Sequence, residues 1–211
     1  ICHYSITLLS LMNISVDLIT LVIASYLIGS ISCAIVFAAW MQLPDPRQLG
    51  SGNPGATNML RTGSKKAAAL TLAGDLLKSL LPLMVAKYLG INEINLCWMG
   101  GAAILGHMYP IDYRFQGGKG VATTLGVLLA IHWPLAIIWS AVWLIMAKIS
   151  RYSSLSALTA TALLPLVAWA IDLPVHVMSL LVIISILVFW RHRTNISKLV
   201  QGQESRIGGS K

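Results

Sequence analysis

The chain alternates long apolar runs with short polar breaks rich in glycine and proline. Residues 16–40 form the first run, stopped by Leu43-Pro44-Asp45-Pro46. Further runs cover 67–89, ended by Gly90, and 94–109, stopped by Pro110. Two more, 155–171 and 175–190, are separated by Asp172-Leu173-Pro174. Runs of this length with so few charges are candidates to span a bilayer as helices. The run 121–147 is interrupted by His132-Trp133-Pro134, and sidedness decides how to read it. A turn at that point puts nearly all Lys and Arg on one side and leaves Lys87 with Asp17, Glu93 and Asp172 on the other. By the positive-inside rule the basic side is cytoplasmic. The pattern therefore predicts an all-α integral membrane protein with seven transmembrane helices, the N-terminus outside and the C-terminus in the cytoplasm. Its first half-run, 121–131, covers only about half of the hydrocarbon core at ~1.5 Å per residue. That segment is expected to start deeper or to pack against other helices. Trp40, Trp133 and Trp190 fall near run ends and read as interfacial anchors.

Composition narrows this picture. With 56% hydrophobic and 10% charged residues, the chain lies outside the range of soluble globules. One transmembrane domain is expected over 16–207, with a disordered N-terminal extension over 1–15 and a tail over 208–211. Met12 is the expected start, and the absence of a basic n-region argues against a cleavable signal peptide. The net charge of +8 sits at the ends of apolar runs, so anionic headgroups and phosphates are the expected partners rather than nucleic acid. No obligatory protein partner is indicated. Cys2, Cys33 and Cys97 have neither disulfide nor zinc spacing. Carboxylates are too sparse for a dedicated metal site, and neither metal nor cofactor is expected.

Three polar stretches carry the chemistry. The first is Gly50-Ser51-Gly52-Asn53-Pro54-Gly55-Ala56-Thr57-Asn58, closed by Arg61 and followed by Lys65 and Lys66. Three glycines allow sharp turns, and neutral donors backed by positive charge suit a phosphate. Gly50, Gly52 and Gly55 match G-x-G-x-x-G with Asp75 downstream. However, no strand precedes them and Asp75 lies in an apolar helix, which excludes a dinucleotide-binding turn. The second stretch runs from Gly106-His107-Met108-Tyr109-Pro110 to Phe115-Gln116-Gly117-Gly118-Lys119-Gly120. It lacks the Ser or Thr and the upstream glycine of a Walker loop. The amides beside Lys119 are expected to help it hold a phosphate. The third is His192-Arg193-Thr194-Asn195, with Glu204 beyond. His192 and Asn195 share a helical face, Arg193 and Lys198 suit lipid headgroups, and Glu204 is expected to brace the basic loop. Tyr152-Ser153-Ser154 falls on the same side, whereas His3, His132 and His176 have no expected role. Asp75 and Lys78, three residues apart within a span, form either a structural ion pair or a catalytic pair.

In this order, on this plan of apolar helices, the three stretches closely resemble the three motifs of the PlsY family, over about residues 16–207. Gln116 stands where that pattern has a basic residue. The resemblance implies seven spans and an acyl transfer from acyl phosphate to glycerol 3-phosphate at the cytoplasmic face of the bacterial inner membrane. Ser51, Thr57, Asn58 and nearby amides, with Gly50, Gly52, Asn53 and Gly55 shaping the loop, are expected to grip one phosphate. Arg61 and Lys119, beside Gly117, Gly118 and Gly120, neutralise charge on both phosphates. His192 and Asn195 orient the glycerol hydroxyl, and His107 lines the site. The proton goes either to His192, whose ordinary pKa lies near neutrality and is lowered by arginine neighbours, or to substrate phosphate. Ser51 has no adjacent base, so no acyl-enzyme is expected. His107 and Asp112 also spell the H-x-x-x-x-D of another glycerolipid acyltransferase superfamily, but Pro110 falls between them. A phosphate-metabolite transporter is the rival, yet transporters favour midplane sites and internal repeats, and here the motifs gather on one side. A lipid-binding structural subunit would not need Asp75 and Lys78 within a span.

Overall fold

The computed structural model describes residues 18–62 and 64–208. The expected extension over 1–15 and the last three residues of the expected tail lie outside the described residues. All regular structure among the described residues is helical: α1 Leu18–Ser30, α2 Cys33–Trp40, α3 Ala56–Arg61, α4 Lys65–Tyr88, α5 Glu93–Met108, α6 Val121–Ile131, α7 Trp133–Ser150, α8 Ser153–Ala170, α9 Val175–Arg191 and α10 Arg193–Val200, with a short 3₁₀ turn at Ile111–Tyr113.

The apolar runs became helices within a few residues of the expected bounds, with one difference. The first run is not straight, because α1 and α2 meet at 44°. Ser30 Oγ donates back to the Tyr26 carbonyl at 2.9 Å, a contact that loosens a helix ladder. Lys78 Nζ takes the Ile31 carbonyl at 2.7 Å, which satisfies an acceptor the break leaves open. The break at His132 is present: α6 ends before it, and its ring Nδ1 accepts from the Leu135 amide to start α7. Among the described residues three helices are long and apolar enough to cross a membrane, or five if each of two bent pairs is one span. Of the other expected spans, α5 has 16 residues and α6 has 11.

The long helix α4 is the hub. Ser64 caps its start by accepting from the Ala67 amide at 3.1 Å. Its middle lies against α6, where Gly126 leaves no room for a Cβ beside the Leu76 carbonyl and Ser79 Oγ. Ser79 also donates to the Thr123 carbonyl at 2.9 Å. Helix α5 meets α1 through Gly29 and Gly106, each pressed on the other helix's backbone. Trp139 Nε1 donates to Thr161 Oγ1 at 3.2 Å between α7 and α8. The core is filled by Leu83, Met99, Ile104, Met108, Val127, Leu135, Leu164, Leu181 and Ile184, all fully buried. Trp40, Trp133 and Trp190 are exposed at helix ends.

This packing sorts the helix ends. The starts of α4, α6 and α8 and the ends of α5, α7 and α9 gather at one end of the bundle. Lys87, Glu93, His132 and His176 sit at the other. There Lys87 Nζ donates to the Ala130 carbonyl at 3.0 Å, capping short α6, and His176 pairs with Glu93 at 2.8 Å.

Candidate active site

At the motif end lies a cavity of about 560 Å³. Its polar wall includes Ser51, Asn53, Thr57, Arg61, Lys65, Lys119, Ser153, Ser154, His192, Asn195 and Glu204, with Asp75 and His107 deeper. It continues between apolar side chains of α4, α6 and α7, among them Leu72, Leu125, Trp143 and Leu144. A neighbouring apolar groove of about 380 Å³ shares Leu125, Ser140 and Leu144 with it.

The first loop is organised by Asn58. Its Nδ2 donates to the carbonyls of Pro46 at 2.8 Å and Leu49 at 3.0 Å. Its Oδ1 accepts from the Ser51 amide at 2.8 Å and Ser51 Oγ at 3.2 Å. An amide side chain has two donors and two acceptor sites, and all four are occupied. Asn58, which also lines the cavity, thus braces the loop. Gly50, at φ +58° with its missing Cβ pointing at Asn58 Oδ1, gives the turn that lets Asn58 in. Gly50 and Gly52 lie outside the cavity wall, while Asn53 and Gly55 are part of it. Thr57 Oγ1 meets Ser153 Oγ at 3.0 Å, tying the loop to α8. Arg61 ends α3; its Nη2 donates to the Ser205 carbonyl at 3.0 Å, and its buried Nε has no partner among the described residues.

The second loop is held from outside itself. The amides of Gly117 and Gly118 donate to the carbonyls of Met108 at 3.2 Å and His107 at 3.0 Å. Those two amides are thus engaged within the protein. Neither glycine lines the cavity, although Lys119 and Gly120 do. A Cβ on Gly118 would run into His107 Nε2, and one on Gly120 (φ +80°) into Met108 Cε. Lys119 Nζ donates to Asn195 Oδ1 at 2.6 Å. Burial pushes the Lys119 ammonium down to about 8, with Glu204 opposing and Arg61, Arg191 and Lys198 reinforcing the shift.

The third stretch completes the wall. Asn195 Nδ2 donates to Glu204 Oε1 at 2.9 Å, which also accepts from Ser154 Oγ at 2.9 Å and lies 4.0 Å from Arg61 Nη2. Glu204 braces three neighbours and fixes the way the Asn195 amide faces. His192 is 2% exposed, and its Nδ1 lies 2.8 Å from the Val188 carbonyl. A carbonyl only accepts, so Nδ1 carries the proton and Nε2 holds a lone pair. Burial, then the Lys119 charge, pushes His192 down to about 4 rather than leaving it near neutrality. Its imidazole is therefore neutral at ordinary pH, with Nε2 as its acceptor atom.

Asp75, Lys78 and His107 form a buried cluster. Lys78 Nζ is 2.9 Å from Asp75 Oδ1 and 2.9 Å from His107 Nδ1. With the Ile31 contact, this ties α4 to α5 and to the α1–α2 bend, which is the structural alternative for the pair. Asp112 is exposed on the 3₁₀ turn while His107 is buried, so H-x-x-x-x-D builds no site. Among the described residues no group of three His, Cys, Asp or Glu side chains is placed to hold a metal ion. Trp139 and Trp143 also line the cavity, where their four-residue spacing on α7 was the available signal, and Arg191 stands behind the second loop.

Known proteins match this arrangement. A family model described as glycerol-3-phosphate acyltransferase matches residues 19–202. The glycerol-3-phosphate acyltransferase of Burkholderia ambifaria is 49% identical over 201 residues, covering 90% of each chain. That of Methylobacillus flagellatus is 50% identical over 187 residues, covering 89% of this chain and 95% of its own. The crystal structure of PlsY, an integral membrane glycerol 3-phosphate acyltransferase, in its glycerol 3-phosphate form is 41% identical with a TM-score of 0.86, over 91% of this chain and 96% of that one. Its lysophosphatidic acid form gives 40% and 0.84 with the same coverage. A family match across most of the chain, relatives at 49–50% identity and a shared helical frame lead to one conclusion: this chain belongs to the PlsY family of integral membrane glycerol-3-phosphate acyltransferases.

Proposed function

We propose that the protein transfers a fatty acyl group from acyl phosphate to glycerol 3-phosphate, giving lysophosphatidic acid and phosphate, as the first step of bacterial phospholipid synthesis. It would do so from seven spans, N-terminus outside, with the cavity facing the cytoplasm from the inner membrane. The observation that carries this function is the cavity itself, in which a wall bearing Arg61, Lys65 and Lys119 passes directly into an apolar arm among α4, α6 and α7. A phosphate head on an acyl chain has the same division. The Arg61 Nε, a buried donor with no partner among the described residues, is a natural contact for phosphate oxygen.

Both phosphates would lie against the Arg61–Lys119 side, Ser51 and Thr57 adding hydroxyl contacts. His192 Nε2 and Asn195 would orient the glycerol hydroxyl. Its oxygen attacks the acyl carbonyl carbon, the bond from that carbon to the phosphate oxygen breaks, and the hydroxyl proton passes to phosphate. A histidine held at about 4 is a weak base at neutral pH, which favours phosphate as the proton acceptor. Holding two reactants in register supplies several kcal/mol of barrier lowering, and fixed positive charge stabilises the departing phosphate.

The test uses the purified full chain in detergent with glycerol 3-phosphate and, in parallel, palmitoyl phosphate, palmitoyl-CoA and palmitoylated acyl carrier protein. Lysophosphatidic acid from acyl phosphate alone is expected. Product from a thioester alone would overturn the donor assignment, and no product from any donor would overturn the reaction.

A further inference from the structure

We propose that Arg191 is a positioning residue for the reaction, setting where the Lys119 ammonium stands in the cavity; this rests on the function proposed above. Gly117 and Gly118 use all four of their backbone polar groups. Their amides point into the end of α5, and their carbonyls face the opposite way, onto a single guanidinium. Arg191 Nη2 donates to the Gly117 carbonyl at 2.5 Å and Nε to the Gly118 carbonyl at 3.0 Å. The guanidinium also lies over the Tyr109 ring at 5.2 Å, and Tyr109's own carbonyl is held by the Tyr26 hydroxyl at 2.7 Å. The loop is therefore gripped from two sides one residue before Lys119.

Arg191 itself is not part of the cavity wall, so it acts through the loop. It is the last residue of α9, and the next four residues supply His192 and Asn195 to the wall. Asn195 in turn receives Lys119 Nζ. One stretch of chain thus fixes Lys119 twice, at its backbone through Arg191 and at its tip through Asn195. It thereby sets the register of the 117–120 loop against the residues placed to hold the glycerol hydroxyl. Two successive carbonyls need two donors at a fixed spacing, which a guanidinium provides and a lysine ammonium does not.

The experiment compares wild type with Arg191→Lys in detergent, using palmitoyl phosphate and glycerol 3-phosphate, and reads kcat, each KM and the pH profile. Because Lys keeps the charge, the variant isolates the fork. We expect kcat to fall by roughly 10- to 100-fold, as for small displacements of a reacting group, with KM changed less. The alkaline limb should move above about 8 as Lys119 gains water and returns toward its ordinary pKa. In a Lys119→Ala background, Arg191→Lys should cost almost nothing more, because both changes act on one group. Equal kcat and an unmoved limb in Arg191→Lys, or fully additive losses in the double variant, would overturn the inference. If Arg191→Lys loses its thermal transition, Gly118→Ala pushes the same loop from the His107 side and must give the same kcat loss and limb shift; wild-type values there would equally overturn it. A wild type that makes no lysophosphatidic acid would instead sink the proposed function, leaving the two failures distinct.

Discussion

The two glycine-rich loops look alike in sequence and are stabilised in opposite ways. The loop from Gly50 to Asn58 is held from within, because one buried asparagine uses its whole amide to pin both strands of the turn. The loop from Gly117 to Gly120 has no such internal hub. Its amides are tied to α5 and its carbonyls to Arg191. A self-braced loop presents several neutral groups around the cavity, whereas an externally clamped loop delivers one charged group to a fixed place. In both, glycine allows the turn or the close approach that the bracing contacts need.

Three substitutions sharpen this contrast, from the largest effect to the smallest. Lys119→Ala removes the one group the clamped loop delivers, and kcat should fall about a thousandfold, the scale of losing a transition-state charge contact. The helical circular dichroism spectrum should be unchanged, since among the described residues the Lys119 ammonium bonds only Asn195. Asn58→Asp breaks the self-braced loop instead. Both Nδ2 donors vanish and two carbonyls are left facing a carboxylate, so about 3 kcal/mol of stability is at stake. Activity should drop ~100-fold with a lowered thermal midpoint, a pairing that Lys119→Ala lacks. Glu204→Gln is mildest. An amide oxygen can still accept from Ser154 and Asn195, so activity at pH 7 should fall only about threefold. The lost negative charge was raising the Lys119 pKa, so its removal lowers that pKa and the alkaline decline begins below pH 8. A pH titration of kcat checks the sign.

Much of the frame was legible because burial in lipid imposes long, unbroken apolar runs. Helix α9 spans Val175–Arg191 where the run covers 175–190, and the stop at His132 coincides with the boundary between α6 and α7. The bend between α1 and α2 was not legible. It combines the Ser30 back-bond with Lys78 reaching the Ile31 carbonyl from another helix, and the second is a tertiary contact with no local signature. The membership of the cavity wall was largely legible, since Ser51, Arg61, Lys119, His192 and Asn195 all line it. What individual groups touch was not. Seven residues separate Asn58 from Ser51, and nothing in that spacing says that the amide folds inward. Arg191 was passed over because a basic residue at the end of an apolar run already has an ordinary explanation in the positive-inside rule. The depressed pKa of His192 arises mainly from burial, whereas the sequence displayed only its arginine neighbours.

The most direct test of a protonated Lys119 at the junction of the two loops is a pH titration of kcat for wild type beside Lys119→Arg, with palmitoyl phosphate and glycerol 3-phosphate from pH 6 to about 9.5, a range that brackets the wild-type value of about 8. Arginine stays charged throughout that range. Wild-type activity should fall as pH rises through about 8, while the residual activity of Lys119→Arg should show no such fall. The same alkaline decline in both proteins, or none in the wild type, would contradict the account.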